Sequence, residues 1–314
     1  MASAEHLSYL QQGVAEWNQW RASNPEIQPD LSGADLSKSD LRQANLSGVN
    51  FTQAILLGAN LSAANLQRAN LSEADLSGVD FHEADLTEAT LSQANLLGAY
   101  LNGAMLNQAN LQGANLNRTD LSGVNLENAV LTEATLLGAE INRSRLNNAV
   151  LSEADFSRAN LENTKLEGAT LKGANLTGAR LNRANLSGAN LEGAILEGSR
   201  FNRADLSQVN LSNAKLMGAS LLGCKLQSAN LSNTDLRDAN LSGANLTDAI
   251  LDGSVMKDTN LEGAILEGVD LDNVSTAADV PPEPPTPDMV ELSKVRTPVE
   301  KRELSADLDL IENL

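Results

Sequence analysis

Residues 184–194 read ANLSGANLEGA. A small residue, an Asn and a Leu are followed by two further residues, the second of them Gly, and the pattern then begins again after five. Five is an awkward period for either regular element. On a helix five residues advance about 500°, so the leucines would wander round the cylinder and make no stripe. In one long strand an odd step would put successive leucines on opposite faces. A chain that turns every five residues satisfies the period instead. Ala-Asn-Leu is then a very short extended segment, with Ala and Leu pointing in and Asn pointing out. The next two residues form a corner, and Gly belongs there because some tight turns need a positive φ.

The same register extends far in both directions. From Leu31 to Leu271 every fifth residue is apolar, 49 positions in a row. Leu fills 43 of them, and Phe51, Phe81, Phe156, Phe201, Ile141 and Met256 fill the rest. From Ala34 to Val274, the residue two before each next apolar position is small: Ala 34 times, otherwise Ser, Thr, Val or Cys. Of 22 glycines, 21 share one phase, two after the Leu, and only Gly13 departs from it. A chain that always turns the same way stacks on itself as a solenoid, each segment hydrogen-bonding to those above and below. One five-residue side cannot bury its Leu alone, so only the stack is stable. Periodicity does not fix how many sides each coil has.

The motif A-(D/N)-L-x-x, as in residues 184–194, resembles the pentapeptide-repeat family, and the resemblance covers residues 30–274. It implies an all-β solenoid, a right-handed quadrilateral β-helix with twenty residues per coil. Forty-nine repeats would then make about twelve coils, a rod near 58 Å at about 4.8 Å per coil. The leader GVAEWNQWRASNPEIQPDLSGADLS, residues 13–37, looks like those of cyanobacterial members. Pentapeptide-repeat proteins mostly have no assigned biochemical activity, so the resemblance implies little beyond the fold.

Residues 1–29 are expected to form an α-helical cap, because an open solenoid end invites edge-to-edge association. Leu7, Leu10, Val14 and Trp17 follow helical spacing, with Trp20 one turn further. Ser3 suits the N-cap, and Asn24-Pro25 stops the helix. The stripe could instead dock a partner. Residues 275–314 form a third region, a Pro-rich linker and an acidic tail with nine acids and four bases. Thr297, Pro298 and Glu300 make a capping box for a short amphipathic helix over 298–312, carrying Leu304, Leu308 and Ile311 on one face. Disorder is the first reading of this tail; a cover for the last coil and a partner-binding peptide are the others.

Acids outnumber bases 41 to 22, a net charge of −19, which argues against direct nucleic-acid binding and against anionic membranes. No apolar run approaches the ~18 residues of a membrane helix, and the N-terminus does not read as a signal peptide. A single cysteine allows no internal disulfide and fits a reducing compartment, so a cytoplasmic protein is expected. His6 and His82 lack metal-ligand spacing, Cys224 sits at a small inward position, and the glycines are periodic corners rather than a phosphate loop. No enzyme motif, cofactor site or metal site is expected.

Specificity should reside in outward residues that depart from Asp or Asn. Folded at twenty per row, Glu140 and Arg143, Arg180 and Arg183, and Arg200 and Arg203 share one side, while Arg145, Lys165 and Lys225 fall on the next. These arginines read either as a solvated face balanced by Glu162, Glu167, Glu192 and Glu197, or as an anchor for an acidic surface or a phosphate. A second departure is apolar. Leu57, Leu97, Leu137 and Met217 form one column, with Ile55, Tyr100 and Met105 on or near the same corner, a pattern suited to protein contact.

The expected function is non-enzymatic: a protein–protein interaction or scaffold rod whose partner is an unidentified protein. The alternative comes from family members that resemble duplex DNA in size and charge and bind DNA gyrase. Against it, residues 30–274 carry 29 acids and 17 bases, a net −12 interrupted by the arginines.

Overall fold

The structure is a computed structural model that describes residues 2–276. Residues 30–275 form a four-sided β-helix. Every bridge pairs a residue with the one twenty further on, in parallel, from Asp30 with Asn50 to Val255 with Ser275. Twenty residues therefore make one coil of four five-residue sides. We number coils from 1, which starts at Asp30, and name the sides by their outward residue in that coil: A at Asp30, B at Asp35, C at Asp40 and D at Asn45.

The repeat is explained by its donors, since each pentapeptide has five backbone N–H groups to satisfy. In the first one, Leu31 N donates to Asn50 O of the next coil (2.8 Å) and Gly33 N to Thr52 O (2.9 Å). Ala34 N closes the turn on Leu31 O (3.1 Å). The outward residue reaches back a coil, as Ile55 N does to Ala34 O (2.9 Å). The fifth donor, on the first corner residue, has no backbone acceptor. It goes to the side chain two residues earlier, as Ser32 N does to Asp30 Oδ1 (3.0 Å) and Ser187 N to Asn185 Oδ1 (3.0 Å). Asp and Asn dominate the outward position because their short side chains reach that N–H.

The second corner residue is left-handed at each of the 48 corners from Gly33 to Gly268, as type II turns require. Gly occupies 21 of these and other residues 27, at φ from 54° to 62°. The glycine phase thus marks a conformation that most corners reach without glycine, using Gln, Glu, Arg, Asn or Asp. Inside, the Leu and Ala columns are almost entirely shielded from solvent. Where a hydroxyl replaces the inward Ala, it mostly finds a carbonyl: Thr119, Thr164, Ser199 and Thr234 donate to the Leu three residues before (2.6–2.7 Å), whereas the buried Ser254 Oγ has no partner.

The N-terminal segment holds two helices rather than one, α1 (Ala4–Gln11) and α2 (Val14–Ser23). The helical spacing from Leu7 to Trp17 runs across a break at Gly13, whose φ of 116° is incompatible with a continuous helix. Ser3 does cap α1, its Oγ accepting from His6 N (3.4 Å), and Asn24 ends α2. The helices lie on the rim of coil 1. Trp17 Nε1 donates to Asn45 O (2.8 Å), Asn18 Oδ1 accepts from Asn45 N (2.8 Å), and Arg21 Nη2 donates to Ser47 O (2.8 Å). Ser3 N donates to Asp30 O (2.9 Å), and His6 Nδ1 accepts from Asp30 N (3.0 Å). Sides A and D of coil 1 are thus covered, while Asp35 and Asp40 on sides B and C stay exposed. The expected linker and helix 298–312 lie outside the described residues.

Two outcomes check this architecture. Leu186→Ala should lower stability by about 2–5 kcal/mol, the usual range for a cavity left by a buried Leu. Outward Asn190→Ala removes an acceptor for Glu192 N and Asn210 Nδ2 on a solvated side and should cost less than Leu186→Ala, about 0.5–1.5 kcal/mol for each hydrogen bond not replaced by water, and chemical denaturation of both variants gives the comparison. Deleting residues 1–24 should uncover the rim of coil 1 and raise self-association above the parent's, read by light scattering. A truncated chain as well behaved as the parent would make these helices a docking element rather than a cap.

Candidate functional site

Nine of the residues singled out above converge on one side of the rod. Arg180 and Arg200 are outward residues of side C in adjacent, bridged coils, and Tyr100 is an outward residue of the same side, 56% exposed. Arg143, Arg183 and Arg203 occupy the left-handed position of the corner between sides C and D. Leu57, Leu97 and Leu137 stand on the other corner of side C, toward side B, each exposed. Side C is therefore bordered by an apolar edge and a basic edge. Two neighbours belong elsewhere: Ile55 is outward on side B, and Met105 is on side D, a full side away from the leucine column.

Placing these residues has a structural cost. Tyr100, Arg180 and Arg200 replace Asp or Asn, so the corner N–H two residues later loses its usual acceptor. At Asn202 the donor is taken up by Asn182 Oδ1 of the previous coil (3.1 Å). Leu137 N is served in the same way by Asn117 Oδ1 (2.8 Å). After Tyr100 and Arg180 no such acceptor among the described residues receives Asn102 N or Asn182 N, and a hydrogen bond given up in this way is worth about 0.5–1.5 kcal/mol.

The charges on side C are only partly neutralised. Arg180 pairs with Glu162 (2.8 Å). Hydrogen bonds from Asn182 and then Arg180 hold the Glu162 carboxyl below the usual range, with Arg183 adding its charge. Arg143, Arg200 and Arg203 form no ion pair among the described residues. On side D, Arg145 pairs with Glu127 (3.0 Å) and Lys225 with Asp205 (2.8 Å), and only Lys165 between them has no ion pair among the described residues. The arginines without an ion pair thus lie on side C and its corner with D over coils 6 to 9, next to a shallow groove of about 390 Å³ bounded by Glu162, Asn182, Arg183, Arg203 and Leu222. A second open groove lies on side C nearer the N-terminus, beside Tyr100, His82 and the glycine corners Gly58 and Gly78.

The remaining reactive groups are structural. Cys224 is buried and its Sγ donates to Phe201 O (2.9 Å), while burial pushes its thiol up to about 12. His82 Nδ1 lies 3.0 Å from Asn102 O, and His6 belongs to the cap. No cluster of His, Cys, Asp and Glu among the described residues could hold a metal ion. No described helix is long and apolar enough to cross a membrane. Sequence reasoning found the arginine and leucine columns but missed that both border one side. It also missed Asp120 as a member of that side, because a lone Asp at the outward position looks like the ordinary repeat.

Among solved structures, the chain is similar to HetL, a pentapeptide repeat protein involved in heterocyst differentiation regulation from the cyanobacterium Nostoc sp. strain PCC 7120. Identity is 29%, covering 83% of this chain and 97% of HetL, with a TM-score of 0.48. QnrB1, a plasmid-mediated fluoroquinolone resistance protein, matches at 17% identity over 75% of this chain and 89% of its own, with a TM-score of 0.34. Rfr23 from the cyanobacterium Cyanothece 51142 matches at 39% identity over 34% of this chain and 64% of its own, with a TM-score of 0.14. No curated protein matches the sequence significantly. The family model for pentapeptide repeats matches residues 30–68, 44–83, 54–93, 84–123, 109–148, 144–183, 184–223, 204–243 and 239–275. With the model matched without a gap from 30 to 275 and the i to i+20 ladder running the same length, the chain belongs to the pentapeptide-repeat family.

Proposed function

We propose that the protein is a non-enzymatic interaction rod, working in the cytoplasm, whose side C and its two corners bind a protein partner with an acidic surface. The observation that carries this reading is the arginine cluster. Arg143, Arg200 and Arg203 stay unpaired beside the Arg180–Glu162 pair, in a chain of net charge −19. Like charges stacked one coil apart, about 4.8 Å in backbone, repel one another. A surface without a task has no reason to collect them. The leucine corner adds apolar area alongside, as interface centres commonly do.

The reading as an acidic mimic of DNA that binds gyrase needs a continuous acidic side. Side A is nearly neutral, with Asn, Thr and Val over most of its length; the acids of side B, Asp35, Asp75, Asp155 and Asp235, are separated by Ile55, Asn95, Asn115, Thr135, Ile195 and Lys215; side C carries Arg180 and Arg200; and side D carries Arg145, Lys165 and Lys225. This distribution favours the interaction rod.

Replacing Arg180, Arg183, Arg200 and Arg203 together with Glu tests the proposal. Glu already occupies the left-handed corner at Glu83 and Glu133, and the outward position at Glu140. Thermal stability should therefore stay within about 1 kcal/mol. Affinity capture from the native cell should lose the acidic partner with this variant, and added salt should weaken the wild-type contact in parallel. Unchanged recovery from the variant would remove the arginines from the binding surface.

A further inference from the structure

Side C has a charge order that is its own complement. Over coils 5 to 9 its outward residues are Asp120, Glu140, Asn160, Arg180 and Arg200, one per coil. Acids precede Asn160 and bases follow it at the same distances. Asp120 and Arg200 each lack an ion-pair partner among the described residues. Glu140 accepts from Asn160 Nδ2 (2.6 Å) and meets no cation within ion-pair distance there. We propose that two copies of this chain associate antiparallel, side C against side C, about a two-fold axis through Asn160. The proposal rests on side C being the working face and names a second copy as an occupant of it.

A two-fold contact is isologous, so each pairing occurs twice. With the axis lying in the interface and perpendicular to both rods, coil 7 faces coil 7 and coil n faces coil 14 − n. Glu140 then meets Arg180 of the second copy, and Asp120 meets Arg200. The axis also maps the corner toward side B onto itself. There the exposed Leu97 of coil 4 meets the exposed Met217 of coil 10, and Tyr100 on side C faces the small Ser220. Three features of one alignment therefore agree: the acid–base order, the apolar pair at the edge, and a large residue opposite a small one. Like charges also meet, since Arg143 faces Arg183 and Arg158 lies opposite its own copy, with Glu162 of both copies between the first two. The N-terminal helices bond to sides A and D and to the corner between C and D at Gln43, all in coil 1 and outside the contact over coils 4 to 10.

Facing sheets lie about 10 Å apart, a gap that Glu and Arg side chains together span. Contact over coils 4 to 10 runs about 34 Å along a side about 10 Å wide, or about 350 Å² per copy. That lies below the range of permanent dimers, so association should be weak and concentration-dependent.

Sedimentation velocity of the purified full chain, from about 1 to about 200 µM at low salt, provides the test. The weight-average mass should rise from 33.2 kDa toward that of two chains and fall back in about 0.5 M NaCl. Arg180→Glu/Arg200→Glu and Asp120→Arg/Glu140→Arg should each be monomeric alone, and an equimolar mixture should associate again. Restoration in the mixture also shows that both variants fold. To read the axis, Asn160→Cys should be linked to its own copy by a short bismaleimide, while Asn240→Cys, four coils from the axis, should not; Cys224 is buried and does not compete. A chain that stays monomeric throughout, variants that associate like the parent, or equal linking at both positions would overturn the proposal. A monomeric chain that still loses its acidic partner on Arg→Glu substitution would overturn this inference alone and leave the interaction reading standing.

Discussion

The structure depends on the placement of five backbone N–H groups per repeat. Three of them bond to neighbouring coils, one closes the corner and the last goes to an Asp or Asn side chain. Because the coil bonds run from i to i+20 or its near neighbours, no single coil can satisfy them. Stability therefore grows by stacking, as in other one-dimensional repeats. The same constraint leaves bare polar groups at the first coil, which α1 and α2 partly cover through Ser3, His6, Trp17, Asn18 and Arg21. It also explains why the exceptions to the repeat are informative, since each outward residue that is not Asp or Asn deprives a corner N–H of its usual acceptor.

Packing and recognition are thereby separated. The inward positions are held to Leu, Phe and small residues, with most hydroxyls received by a carbonyl, as at Thr119 and Ser199. The outward and corner positions are free to vary, and sides C and D each use that freedom for three charged residues, Glu140, Arg180 and Arg200 on C and Arg145, Lys165 and Lys225 on D. Side C sets Tyr100 and the leucine corner toward the N-terminal half and unpaired arginines toward the C-terminal half. The ladder holds these residues at fixed intervals of one coil, so the partner proposed for this side would have to match that spacing along the rod.

Much of this was legible in the sequence. Period five, the inward and outward assignment and the corner phase all follow from positions such as Leu186, Asn185 and Gly188. The four-sided coil did not follow from periodicity, because a five-residue side closes equally well in principle with another number of sides. The break between α1 and α2 was missed because Leu7, Leu10, Val14 and Trp17 keep helical spacing across it. Gly13, the one glycine out of phase, was the available signal. Arg143, Arg183 and Arg203 in left-handed corners were unexpected too, since the glycine phase suggested a requirement that turns out to be a preference. The convergence of the leucine and arginine columns on side C, and the order from Asp120 to Arg200, emerge only once residues are sorted by side.

Every one of these assignments depends on a coil of twenty residues, and distances between spin labels test that directly. Pairs of cysteines placed on side A at Asn110 with Asn190, Asn210 or Asn230 keep one label fixed and move the other by single coils. Their separations should be about 19, 24 and 29 Å, rising by about 4.8 Å for each twenty residues. Steps of about 6.4 Å, as a fifteen-residue coil would give, or no regular step at all, would contradict the four-sided ladder and the working face proposed on it.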